Sequence, residues 1–449
     1  MSRLLVGGAT LLGLTSPRDI RPAADLYAEG GTIVAVGEDA TRQAAVSGEP
    51  VERLDARGMW IIPGFVQAHL HLCQTLLRNG PEGLELLPWL EQHVWPGEAA
   101  HEPETLAVSA RLGLAECLSA GVTAVLDMGT VRHSDALFRA AARSGIRYTG
   151  GNVLMDDPAT TPSNLRAPAS EGLAETERLR HDWHGRERGR LRVAVQPRFA
   201  VACTEGLLRE AAEYASEKGL PIHTHASENK SECQLVAKRS GLSNVRYLAE
   251  VGLLTSRTCV AHAIHTDESD WSELAGRRVS VAHCPSSNLR LGSGVCPVPE
   301  LRRAGVVVAL GSDGAACNNS LDPFREMRMA ASLPGTRAIP ETLAAFEVLR
   351  MMTWDGARAL GLAGAEGLVI GAPADFTILD PETAWSLPVE WAEEPYGAIV
   401  YSMDRENVAA TVVDGVIRYR AKDATVGGLK PRPEEIRAAV KQLKERMSA

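Results

Sequence analysis

Eight short apolar runs alternate with helical stretches between residues 60 and 366, and this alternation limits the chain to few architectures. The runs cover residues 61–68, 123–128, 147–154, 191–196, 220–224, 258–263, 279–283 and 306–311. Near-continuous apolar strands are buried on both faces, the pattern of a parallel sheet covered by helices. Strands alternating with helices make βαβ units, and eight units predict an α/β fold, a (β/α)8 barrel of the TIM type. The helices carry their own end signals. Thr204 stands as N-cap before a helix over 205–218, with Gly219 as its C′ residue. A second long helix is expected over 341–360. The Pro-rich stretch 156–168 after the third run is expected to begin as an active-site loop.

The flanks read differently. Residues 1–59 carry short strand candidates at 4–6, 25–27 and 32–36, and residues 367–425 carry others at 374–379, 399–401, 409–413 and 416–419. The simplest assembly joins both flanks into one small β-sandwich domain (1–59 plus 367–425) beside the barrel (60–366). Residues 426–449 close the chain, with a charged helix over 431–447. The first 14 residues are apolar but lack an A-x-A-like cleavage site and run into Asp19, Asp25 and Glu29, so they read as a strand. No run of 18 apolar residues predicts a membrane helix. A net charge of -9 lacks the basic stripe that a nucleic-acid surface needs. The eight cysteines form no C-x-x-C pair, which points to reduced thiols and a cytoplasmic location.

Barrel chemistry sits at the C-terminal ends of strands. The first run ends in His69-Leu70-His71, and alternate residues on a strand face one way. The fifth ends in His223-Thr224-His225, followed by Glu228. The sixth carries His262, the seventh His283, and the eighth ends in Gly311-Ser312-Asp313. Three imidazoles and a carboxylate suit Zn²⁺ or Fe²⁺ with one position left for water. A lone buried histidine is commonly a satisfied core residue, but four strands agreeing is not explained that way. Two-metal barrel hydrolases usually need a bridging carboxylate, often a modified Lys on strand four. Residues 191–199 contain no Lys, so one divalent metal per chain is expected.

The stretches 63–71 (PGFVQAHLH), 225–228 (HASE), 261–262 (AH), 283–289 (HCPSSNL) and 311–314 (GSDG) resemble the amidohydrolase superfamily, more narrowly its mononuclear cyclic deaminases. The resemblance covers nearly the whole chain. It implies that His69, His71, His225 and Asp313 hold the metal, that His223 is structural, and that Glu228 is the proton shuttle. His262 then orients the attacking water, and Asp313 serves catalysis as well as the metal. It also implies a homo-oligomer, a dimer or tetramer. The expected reaction is hydrolytic removal of an amino group from a purine-like heterocycle.

Two sets of residues bear on the substrate. Ser312 to Asp322, with Leu291-Gly292-Ser293-Gly294, Trp89-Leu90 and Trp95-Pro96-Gly97-Glu98, is similar to deaminases of S-adenosylhomocysteine, methylthioadenosine and 5′-deoxyadenosine. There Glu98 would hold ribose hydroxyls. Pro197-Arg198-Phe199 and Gln74 resemble guanine deaminases, in which Arg and Gln grip the base, and these groups suit a base with carbonyl oxygens. An ion pair at the barrel rim is the other reading of Arg198. Asn288 completes the candidate substrate contacts. An adenosine-type nucleoside is the preferred substrate, guanine or another oxopurine the alternative, and triazine-type hydrolysis a more distant one.

Overall fold

The computed structural model describes every residue except 47–48, 337–341, 363, 366, 390–393, 424 and 449. The strands are Arg3–Leu12 (β1), Ile20–Glu29 (β2), Thr32–Val36 (β3), Glu52–Asp55 (β4) and Trp60–Pro63 (β5). Phe65–His71 (β6), Val122–Asp127 (β7), Arg147–Gly150 (β8), Val153–Leu154 (β9), Leu191–Val193 (β10) and Gln196–Pro197 (β11) follow. Then come Ile222–Ala226 (β12), Thr258–His262 (β13), Ser280–His283 (β14), Val307–Leu310 (β15) and Asp313–Gly314 (β16). Phe376–Leu379 (β17), Val408–Val413 (β18), Val416–Arg420 (β19) and Thr425–Val426 (β20) complete the set.

From β6 to β16 the pairing is parallel. One ladder runs β10-β8-β7-β6-β16, a second β12-β13-β14-β15, and β9 pairs with β11. Parallel bridges from Val195 to Ile222 and from Phe199 to His225 link the fourth run to the fifth. The eighth run passes from the second ladder to the first, where Asp313 stands opposite Leu70. Each of the eight apolar runs therefore holds a strand or a close pair of strands, in the mixed α/β layout of the TIM-barrel fold. The branched residues Val125, Val260, Val281 and Val308 pack into the large cluster shared with the helices. Ala68, Ala124, Ala194, Ala282 and Ala309 gather with Ala357 and Leu360 in a second cluster.

The two chain ends meet in one nine-stranded sheet, ordered β20-β19-β18-β17-β5-β1-β2-β3, with β4 on β1. Period-two alternation divides its strands: Leu4 and Val6 pack with Leu26 and Phe376, while Leu5 packs with Tyr27 and Ala35.

Four expectations need correction. The run 61–68 is two strands, because β5 pairs with β17 and β1 in the outer sheet. Gly64 makes the break; a Cβ there would stand 2.2 Å from the Thr123 side chain. Residues 399–401 are helical, not extended: Ala398–Ser402 continues a turn opened by Pro395, and Ile399 and Val400 are buried against the helices Pro323–Ser332 and Ala345–Met352. The helix over 341–360 is two helices, Ala345–Met352 and Trp354–Ala359, broken where Thr353 leaves helical geometry at φ -122° and ψ -85°; Glu341 lies outside the described residues. The terminal helix begins later, at Pro433–Met447. The Glu205–Lys218 helix keeps both of its expected caps. Among the described residues no helix is long and apolar enough to cross a membrane.

Candidate active site

β6 delivers His69 and His71, and β12 delivers His225, to one point at the strand ends. His71 Nδ1 lies 2.9 Å from the Met128 carbonyl and His225 Nδ1 lies 2.8 Å from the Arg198 carbonyl. A carbonyl only accepts, so each Nδ1 carries the proton and each Nε2 is left with a lone pair. Those two Nε2 atoms face each other at 3.3 Å. Neither has a hydrogen to share, so the approach is favourable only with a cation between them. Asp313 Oδ1 stands 3.3 Å from Nε2 of both His69 and His71. Ligand atoms on a tetrahedral ion with bonds of about 2.0–2.1 Å lie about 3.3–3.4 Å apart, so the donor set fits a zinc-sized ion. His69 Nε2 is buried with no hydrogen-bond partner among the described residues.

Supporting contacts fix these rings. His223 Nε2 stands 2.9 Å from His69 Nδ1 and so backs the ring from behind. Burial above all, then the His69 ring, holds His71 and His225 well below the usual imidazole range, which keeps them neutral. Ser287 Oγ donates to Asp313 Oδ2 at 2.6 Å and the Gly314 amide to Oδ1 at 2.7 Å. Ser287 had no role in the sequence reading, although it stands in the quoted 283–289 stretch. Three residues here adopt left-handed backbone: Ser227 at φ 55°, His262 at 74° and Asp313 at 59°. Such strain concentrates at functional sites, where the surrounding structure must enforce it. Gly311 lets β15 approach β6, since a Cβ there would sit 2.6 Å from the His69 carbonyl oxygen.

Glu228 stands where β12 gives way to the helix Lys230–Ser240. That helix opens with a capping box from Asn229 and Glu232, and Glu232 also accepts the Glu228 amide at 2.8 Å. The Glu228 carboxylate is buried, with Oε2 at 3.5 Å from His262 Nε2. Burial, then the charges of Asp313 and Glu232, pushes its pKa well above the usual carboxylate range. His262 Nε2 lies 3.9 Å from Asp313 Oδ2 and has no hydrogen-bond partner among the described residues, while its Nδ1 meets Asn288 Oδ1 at 2.9 Å. Glu228, His262 and Asp313 thus form one group on the open side of the histidine cluster.

A narrow cavity opens onto this group. Its walls are Gln74 and Arg198 on the polar side and Leu86, Trp89, Leu90 and Phe199 on the apolar side. Leu86 carried no sequence signal. Of the four candidate substrate contacts, Gln74 and Arg198 line the cavity. Asn288 does not, and its carbonyl oxygen is spent on His262. Glu98 also stands behind the wall, buried against Arg198 and Gln74. Arg198 is thus ion-paired with Glu98 while it also lines the cavity. The loop 156–168 contributes nothing to the lining; Asp156 instead accepts from Thr204 at the start of the next helix. All eight cysteines are free.

Residues 60–418 match the amidohydrolase family. The chain is 35% identical over 418 residues to a 5-methylthioadenosine/S-adenosylhomocysteine deaminase of Nitratidesulfovibrio vulgaris, covering 93% of this chain and 92% of that one. It is 38% identical over 371 residues to a 5′-deoxyadenosine deaminase of Methanothermobacter thermautotrophicus, covering 82% and 83%. A zinc-bound adenosine deaminase from Xanthomonas campestris superposes with TM-score 0.88 at 28% identity, over 100% of this chain and 99% of that one. An atrazine chlorohydrolase from Arthrobacter aurescens superposes with TM-score 0.87 at 25% identity, over 98% and 99%. The match over most of the length, and the histidines and aspartate it encloses, lead to one assignment: the chain belongs to the amidohydrolase family.

Proposed function

We propose that this chain is a metal-dependent hydrolytic deaminase of purine-type substrates, with an adenosine-like nucleoside such as 5′-deoxyadenosine, methylthioadenosine or S-adenosylhomocysteine preferred. One observation carries the metal: two neutral imidazole lone pairs held 3.3 Å apart. His69, His71, His225 and Asp313 would hold one divalent ion, zinc by the borderline donor set, with Fe²⁺ as the other candidate. Such an ion, when bound, lowers the pKa of water to about 7. The rest falls to the chain. Asp313 accepts a hydrogen bond from the attacking water. Glu228 Oε2 takes a proton from that water and passes it to a ring nitrogen of the substrate. His262, held by Asn288, keeps the water aligned between Glu228 and Asp313. Ammonia leaves after a second proton delivery.

The nucleoside preference is supported by the deaminase relatives. A guanine or other oxopurine substrate is favoured instead by Arg198 and Gln74 on the cavity wall. An ammonia-release screen of the zinc-loaded protein separates them: adenosine-type nucleosides, guanine, 8-oxoguanine, cytosine, pterins and triazines. Preference for an adenosine-type nucleoside is expected. Faster turnover of guanine would overturn the substrate and leave the reaction class, whereas release from no purine would overturn both.

We also read the shared outer sheet as the small β-sandwich domain, residues 1–59 plus 367–425, with the barrel over 60–366 and the terminal helix in 426–449. Free, largely buried thiols support a cytoplasmic location. A homo-oligomer, dimer or tetramer, is the expected assembly.

A further inference from the structure

We infer that Glu326 is a positioning residue for the reaction: it clamps the segment that follows β14 to the segment that follows β16, and so holds the side chains that fix Asp313 and His262. The inference rests on the reading of this site as a hydrolytic deaminase and goes beyond it, since Glu326 does not line the cavity.

Glu326 stands on the helix Pro323–Ser332. Asp322 caps that helix by accepting the Phe324 amide at 2.9 Å. Phe324 packs edge-on against Phe65, with ring centroids 5.2 Å apart, at the start of the strand that delivers His69 and His71. The carboxylate is therefore carried on an element anchored to the metal-binding strand. It is fully buried, and among the described residues no cation pairs with it. A buried carboxylate without a cation is costly to keep, so its hydrogen bonds must justify it. Each oxygen holds a different segment: Oε2 accepts the Ser286 amide at 3.2 Å, and Oε1 accepts from Asn318 Nδ2 at 2.8 Å.

Ser286 lies in the first turn of the short helix Pro285–Arg290, where amides have no intrahelical acceptor, and Cys284 at the N-cap position offers no side-chain cap. Glu326 supplies the missing acceptor from another element. The next two residues reach the reacting groups. Ser287 Oγ donates to Asp313 Oδ2 at 2.6 Å, and Asn288 Oδ1 meets His262 Nδ1 at 2.9 Å. On the other side, Asn318 Nδ2 also donates to the carbonyl of Ser312, the residue before Asp313, at 2.7 Å. Asp313 and His262 both hold left-handed backbone, at φ 59° and 74°, which persists only where the surroundings enforce it. One carboxylate thus keeps two strained residues facing the same water. The cavity walls come from other segments, so loosening the clamp disturbs the chemistry and leaves the walls in place.

The test compares Glu326→Gln, Ser287→Ala and the double variant in the zinc-loaded full chain, with 5′-deoxyadenosine as probe. Glutamine keeps the shape but has one acceptor, so one segment loses its tie whichever way the amide turns. Contacts behind a metal site are worth about 10–100-fold in metal affinity or activity. Glu326→Gln should lose about that factor in kcat, with KM within about threefold of wild type. Its dissociation constant for zinc, read by chelator competition, should rise by about the same factor. Because Glu326 acts partly through Ser287, the double variant should fall at least about tenfold short of the product of the two single losses, in kcat and in zinc affinity alike. Losses that simply multiply, a loss carried by KM, or wild-type kcat and zinc affinity in Glu326→Gln would each overturn the inference. If Glu326→Gln folds poorly, Asn318→Ala cuts the same clamp from the other segment and should repeat both losses and the coupling to Ser287. The zinc measurements need no turnover, so a wild type that deaminates nothing would sink the functional reading and still leave the clamp to be judged.

Discussion

Replacing Glu228 with glutamine separates proton transfer from every other property of the site. The amide keeps the shape of the buried side chain but cannot carry a proton between water and substrate. Among the described residues Glu228 makes one close polar side-chain approach, Oε2 to His262 Nε2 at 3.5 Å, and it stands apart from the Nε2 atoms of His69, His71 and His225. Zinc content should therefore match wild type. General acid-base catalysis contributes about 10²–10⁴-fold, so kcat should fall by that factor, or about 2.7–5.5 kcal/mol at about 1.36 kcal/mol per decade. Stability should change little, because the amide keeps the shape of the buried side chain. The assay pairs ammonia release with elemental analysis and a melting curve on one preparation. The expected result is full zinc, a melting midpoint close to wild type, and a kcat down at least a hundredfold. Turnover within tenfold of wild type with zinc bound would refute the proton role.

The purified chain should hold about one transition metal, and chelation should abolish activity and lower the melting midpoint, because it leaves the His71 and His225 lone pairs opposed at 3.3 Å; two metals per chain by elemental analysis would refute the site as drawn. Gly311→Ala puts a Cβ 2.6 Å from the His69 carbonyl oxygen and 2.9 Å from its amide nitrogen, backbone atoms that cannot rotate away. It should cost about 1–3 kcal/mol and weaken zinc binding, with unchanged stability and affinity as the contrary result. Burial raises Glu326 from 4.5 to about 7 against the hydrogen bonds from Ser286 and Asn318. Its stabilising contribution is complete below about pH 4.5 and lost as pH rises through about 7, at most about 3 kcal/mol. Glu326→Gln should flatten the fall in stability across that window, and an unaltered slope would contradict it.

What the sequence made legible was local or periodic. Thr204 and Gly219 bracket their helix because caps act within one turn. His69 and His71 share a direction because a strand alternates. The segment 399–401 was illegible for the converse reason: its β-branched residues favour a strand, and packing of Ile399 and Val400 against two helices overrides them. The split of 61–68 turns on the approach of Gly64 to Thr123, residues far apart in sequence. The same limit applies inside the site. Its histidines and Asp313 could be named because each motif is short, but Glu98 and Arg198 stand 100 residues apart, and nothing local says that they spend themselves on each other.

Arg198 shows how a single position can support a histidine through its backbone and shape the cavity through its side chain, each independently of the other. Its carbonyl oxygen accepts the His225 amide at 3.0 Å and His225 Nδ1 at 2.8 Å, which sets the tautomer of the histidine. Its guanidinium lies on the cavity wall, anchored by Glu98. The metal-binding histidine makes its demand on the backbone, and any residue in the same conformation supplies a carbonyl. The cavity wall is set by the side chain, whose guanidinium is paired with Glu98. A change of residue at 198, with a matching change at 98, can therefore alter the wall while His225 keeps its orientation, because that histidine is held from behind by an atom that every amino acid has.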